Sequence, residues 1–183
     1  LADARAIAAA AAGELERFVR AGGGLLALPS SSGAGAALVP LSGWLPARLG
    51  PIVSGEGLGI KAADAAAWKG FELEKVAIGR YHLLQVKAGA RAGLRSTSGY
   101  PLLVWGAHGR GRAAVFAAAL DAEWTNLPLK PAFAALVQNA LDGLLPPQAR
   151  GTESRELRVG QPIERSWRED EAAPPSVSIR GPQ

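Results

Sequence analysis

Asp121, Glu123, Trp124 and Asn126 are the residues whose types and spacing come closest to a chemical site. They follow the apolar run from Ala113 to Leu120, and side chains just past a buried strand lie where parallel α/β sheets present their ligands. Two carboxylates beside an aromatic face and an amide would suit a small molecule or a sugar. The same residues also fit a purely structural turn. An Asp that opens a turn hydrogen-bonds the backbone two residues on, and Trp124, Leu127 and Phe133 would anchor the segment that follows. The turn is the reading taken, with the ligand site as its alternative.

Other reactive arrangements are weaker. Gly109–Ala114 (GRGRAA) has loose dinucleotide spacing, but a phosphate loop must open a helix, so that the anion meets free N–H groups. Val115 and Phe116 follow instead, and the motif reads as a hairpin turn. His82 and His108 are the two histidines; no second His stands at metal-ligand spacing, and both read as surface residues. Neither Ser96–Tyr100 nor Ser30–Gly33 forms the strand–Ser–helix elbow of a serine hydrolase. The absence of cysteine removes thiolate nucleophiles, disulfides and Cys-ligated metals. No cofactor, metal or catalytic residue is expected.

Charge is uneven. The net charge is +4, yet no acidic residue occurs between Val76 and Leu120, where Arg80, Lys87, Arg91, Arg95, Arg110 and Arg112 stand. These read as solvated strand ends and turns. The alternative is an anion-facing surface, with anionic lipid as one partner and binding that weakens as salt rises. Nucleic acid is not expected.

The elements that must position these residues follow from pattern. Hydrophobic residues make up 48% of the 183 and charged residues 20%, enough apolar content for a packed core. Richness in Ala, Gly and Arg suits a GC-rich bacterial genome, and the lack of methionine reads as an internal fragment. No apolar run reaches roughly 18 residues, the length a spanning helix needs. Residues 4–20 read as an amphipathic helix with Ile7, Ala11, Leu15, Phe18 and Val19 on one face. Gly22–Gly24 stop it, and the short strand Leu25–Leu28 makes an αβ unit. Residues 30–59 read as a surface excursion with a short helix near Leu41–Leu49. Strands are expected around Val76–Ile78, Tyr81–Val86, Leu102–Trp105 and Ala113–Leu120, the last two as a hairpin. A second helix begins after Pro131 and ends at Pro146–Pro147. The fold class expected is α/β, a three-layer, mainly parallel sheet flanked by helices, with an edge hairpin. The domain spans 1–147; 148–183 read as a linker and the start of a β-rich module.

GRGRAAVFAAALDAEWTNLPLKPAFAALVQNAL, with LERFVRAGGGLLAL upstream, resembles the class I glutamine amidotransferase-like domain, a flavodoxin-like architecture. More narrowly it resembles the version found in bacterial double-transmembrane, aerotolerance-regulator (Bat-type) membrane proteins. The matching residues are Gly23, Gly24, Gly109, Gly111, Arg112, Asp121, Trp124, Leu127, Pro128 and Phe133, and the resemblance covers residues 1–145. VGQPI and VSIRGP in the tail are similar to the β-domain that often follows. True amidotransferases use a Cys nucleophile with His and Glu partners. Without a cysteine, and with neither histidine in a matching motif, the resemblance implies a fold whose chemistry is lost and whose first strands lie upstream of Leu1. It also implies a parent anchored in the bacterial inner membrane, an extracytoplasmic position, and envelope or membrane proteins as partners. The function expected is a non-catalytic interaction or structural domain linked to the cell envelope or stress. The alternative is a small-molecule or sugar-binding module near Asp121, Glu123 and Trp124.

Overall fold

The computed structural model describes residues 7, 9–31, 35–62 and 72–145. The chain divides into two compact units, Leu1–Gly151 and Thr152–Gln183; the β-rich module expected at 148–183 lies outside the described residues.

Helix α1 (Ala9–Arg20) turns Ala12 and Val19 into the core. Its C-terminus closes in a Schellman motif: Gly22, at φ 118°, donates to the Val19 carbonyl, and Gly23 donates to that of Phe18. A residue with φ this positive is best a glycine. Phe18, expected on the inward face, is 56% exposed. The apolar stripe runs through Ala12, Leu15 and Val19, and the Phe18 ring lies over Gly23, where a Cβ would stand 2.3 Å from it. Strand β1 (Gly24–Ala27) follows at once.

Strands β2 (Ala47–Leu58), β3 (Ile60–Ala62), β4 (Ile78–Val86), β5 (Arg91–Ser96), β6 (Pro101–His108) and β7 (Gly111–Phe116) follow, and helix α2 (Ala132–Leu144) closes the described residues. One sheet runs β1-β7-β6-β5-β3, and β2 pairs with β4 in a second. Among the described strands only β1 and β7 are parallel; β7–β6, β6–β5 and β5–β3 are antiparallel. The expectation of a mainly parallel, three-layer flavodoxin-like sheet is therefore overturned. The physical reason is connection length. Parallel neighbours need a crossover of a dozen or more residues, whereas tight turns permit only antiparallel pairing. Here β5–β6 and β6–β7 are joined by short turns at Gly99 (φ 90°) and Gly109 (φ 64°).

Residues 30–59 also differ from expectation. A 3-10 turn at Ala36–Leu41 replaces the helix placed near Leu41–Leu49, and β2 occupies twelve residues of the supposed excursion. Its register breaks between Leu49 and Ile52 and between Ser54 and Leu58, around Gly50, Pro51, Gly55 and Gly57. These breaks hide the two-residue alternation that marks a strand.

The helices lie on opposite faces of the β1–β7 edge. On β7, Arg112 reaches the Gly143 carbonyl of α2, and Gly24, its partner on β1, faces Leu144. The preceding residue, Gly111, faces Val19 of α1, as alternation along a strand requires. Consecutive Leu102, Leu103 and Val104 on β6 are all fully buried, the mark of a central strand covered on both sides.

Candidate functional site

The segment after β7 builds a lock. The Asp121 Oδ1 accepts hydrogen bonds from the N–H groups of Glu123 (3.0 Å) and Trp124 (3.1 Å). This is the Asx turn that an acid at this position favours. Trp124 is buried, with its ring centroid 5.6 Å from that of His82, and its carbonyl accepts from Gly79 and Arg80. Thr125 donates through Oγ1 to the Ala77 carbonyl, and the Asn126 Oδ1 accepts from the Ala77 N–H. Glu123 points outward, 3.7 Å from Arg80. The structure thus brings the four expected residues together, and uses them to fasten the start of β4 to the entry of α2.

The basic residues hold different parts of the fold. Arg110 donates to Ala21 beyond α1 (3.0 Å) and Arg112 to Gly143 in α2 (3.2 Å); cations suit helix C-termini, where carbonyls lack partners. The GRGR motif is therefore a turn that caps two helices. Arg95 caps Gly99 within the β5–β6 turn, Arg80 faces Glu123, and Lys87 donates to the Ser42 and Gly43 carbonyls. Burial, and then Arg48, hold the Lys87 ammonium below its ordinary pKa. Arg91 stands exposed on β5 opposite Trp105.

The histidines depart from the expected surface position. His108 bonds Glu16 at 3.0 Å and stacks on Trp44. His82 is 2% exposed. Its Nδ1 lies 2.8 Å from the Gly50 carbonyl and donates to it, while Nε2 is buried with no hydrogen-bond partner among the described residues. Among the described residues no three His, Asp or Glu side chains gather as a metal would require.

A further buried group gives a pH prediction. Burial, and then Tyr100, raise the Tyr81 pKa above 10.0. Ionisation then costs more in the folded state than in the unfolded one. Its contribution is intact below pH 10.0 and is lost as pH rises through the folded value. Above pH 10.0 the wild type should lose stability more steeply than Tyr81→Phe, by at most about 1.4 kcal/mol per pH unit. Parallel slopes in urea titrations of the two proteins would refute this.

The feature missed from the sequence is a cavity. At the C-terminal ends of β1 and β7 the structure opens a cleft of about 550 Å³, within the usual ligand-site range of about 300–1,000 Å³. Leu15 of α1, Leu26 and Leu28 at β1, Leu38 and Leu41 of the 3-10 turn, and Leu120 supply its walls. Ser30, Ser31 and Asp121 are its polar members, and no described lining residue is aromatic. Of the expected site residues, Asp121 alone lines it. The one sequence signal was position: LLALPSSS runs out of β1, and AAALD follows β7, which ends at Phe116 and not at Leu120 as expected.

No family model matches the sequence, and no curated protein does. Among solved structures, two cytoplasmic proteins of Salmonella typhimurium share the fold, with TM-scores of 0.64 and 0.62 at 23% and 21% identity. Each match covers 74% of this chain and 61% or 60% of the other. The likeness is one of fold. A β-galactosidase of Rahnella sp. R3 matches at TM-score 0.52 and 18% identity over 77% of this chain and 22% of its own. This chain thus spans about three-fifths of the Salmonella proteins' length. The fold is thus the one shared with these Salmonella structures, and the resemblance to a glutamine amidotransferase-like domain of Bat-type, aerotolerance-regulator membrane proteins is overturned. The expected extracytoplasmic position in an inner-membrane parent falls with it. Among the described residues no helix is long and apolar enough to cross a membrane.

Proposed function

We propose that this domain is a non-catalytic binding module that takes an apolar group into the cleft at the ends of β1 and β7. The cleft carries the proposal: its walls are mostly aliphatic, and its polar members among the described residues are Ser30, Ser31 and Asp121. Burying apolar surface there is favourable at about 25 cal/mol per Å², and the few polar groups orient what enters. The absence of catalysis is part of the proposal. It is supported by the Asp121 carboxylate, whose Oδ1 already serves two backbone N–H groups, and by the histidines, which face Gly50 and Glu16. The alternative site at Glu123 and Trp124 is less well supported, because Trp124 is buried against His82.

The test is binding of Nile red, a neutral dye that brightens and shifts to the blue in apolar surroundings. The wild type should bind it, and Leu28→Trp, which puts a ring into the cleft, should bind about ten-fold more weakly, a difference of about 1.4 kcal/mol. Equal binding by both proteins, with the variant folded, would remove the cleft as the site.

A further inference from the structure

We infer that the ligand of this cleft is an aliphatic amphiphile whose head group donates hydrogen bonds, an alkyl amine or alkyl alcohol. The inference rests on the proposed function and names the ligand class for the same site.

The walls define the tail. Sugars and flat rings are recognised by aromatic faces and by many convergent polar groups. Here the walls come from Leu15, Leu26, Leu28, Leu38, Leu41 and Leu120, and no aromatic ring lines the cleft among the described residues. Branched aliphatic side chains offer dispersion contacts without direction, which suits a flexible hydrocarbon chain.

The polar lining defines the head. Asp121 is the one ionisable group among the described lining residues, and Ser30 and Ser31 are the other polar ones. The two hydrogen bonds to Oδ1 fix the orientation of the Asp121 carboxylate. Its other oxygen accepts no hydrogen bond among the described residues. A carboxylate held this way accepts from a hydroxyl, pairs more strongly with an ammonium, and repels an anionic head.

Homologous n-alkyl amines, alcohols and carboxylates, kept below micelle-forming concentrations, are titrated into the full chain by displacement of Nile red. Affinity should rise about four-fold per added methylene until the cleft is full, the equivalent of about 0.8 kcal/mol. At equal length, amine and alcohol should exceed carboxylate by about ten-fold. Asp121→Asn keeps an Oδ1 acceptor, and with it the turn, while losing the charge. In this variant the free oxygen becomes an amide N–H2 donor, so the amine should lose more affinity than the alcohol and the preference for amine over alcohol should vanish. Carboxylates binding as well as amines, or affinity independent of chain length, would overturn the inference. Competition by phenols or sugars but not by alkyl chains would overturn it and leave the cleft as a binding site. Indifference of every ligand to Leu28→Trp would overturn both readings.

Discussion

Gly111→Ala is expected to destabilise the domain by at least about 3 kcal/mol, at the upper end of overpacking costs. An added Cβ would stand 2.1 Å from the Val19 carbonyl oxygen and 2.2 Å from that of Gly23. Both are backbone atoms at the end of α1, held by the Schellman closure, so no side chain can swing aside. Relief would mean lifting α1 from β7 and loosening two neighbouring contacts, Arg110 N–H to the Arg20 carbonyl and Arg112 N–H to that of Gly23. For a domain of this size the loss corresponds to roughly 6–12 °C in melting temperature. Gly43→Ala is the control, because nothing lies within 4 Å of its added Cβ. Thermal melts of the two variants should differ by nearly the whole effect. Equal melts would show that α1 does not dock on β7 as described.

Trp124→Ala should cost about 3–5 kcal/mol, the usual range for emptying a buried aromatic site. Trp124 is 2% exposed, faces His82, and lies in the segment whose carbonyl and side chains hold Ala77, Gly79 and Arg80. Truncation therefore leaves a void and loosens the seam between β4 and the entry of α2. Against a total stability of typically about 5–15 kcal/mol, the variant should unfold at a much lower urea concentration. Trp124→Phe should recover a large part of the loss. If the alanine variant kept wild-type stability but lost Nile red binding, Trp124 would be a ligand anchor and the lock would be misassigned.

The two variants mark different depths of legibility. Gly22–Gly24 stop α1 where the sequence places the stop, because a helix end needs a residue tolerant of positive φ and that need is local. The hairpin of β6 and β7, the start of α2 after Pro131 and the Asp121 turn are legible for the same reason. Each is decided within a few residues of chain. Phe18 was misplaced because the helical stripe can be drawn through several neighbouring positions, and only the packing partner selects Ala12, Leu15 and Val19. β2 and β5 carry glycine, proline and arginine where an alternating strand would carry apolar residues, so their pairing is invisible until β4 and β6 lie beside them.

The arginines show the same limit from the polar side. In the sequence, Arg110 and Arg112 are two charges in a basic stretch. In the fold each guanidinium meets a carbonyl 89 or 31 residues away. Charge is a property of the residue, but a hydrogen-bond partner is a property of the assembly.

By itself the sequence determined the local pieces: two amphipathic helices, their glycine and proline stops, one hairpin and the carboxylate turn at Asp121. Each follows from φ restrictions, helical spacing and side-chain capping within one stretch of chain. The tertiary structure alone decided that the sheet is mixed, that β1 lies parallel to β7, and that a cleft opens where they end. The cleft draws its walls from α1, β1, the 3-10 turn and the segment that follows β7, segments that meet only because β1 hydrogen-bonds to a strand more than eighty residues further along the chain.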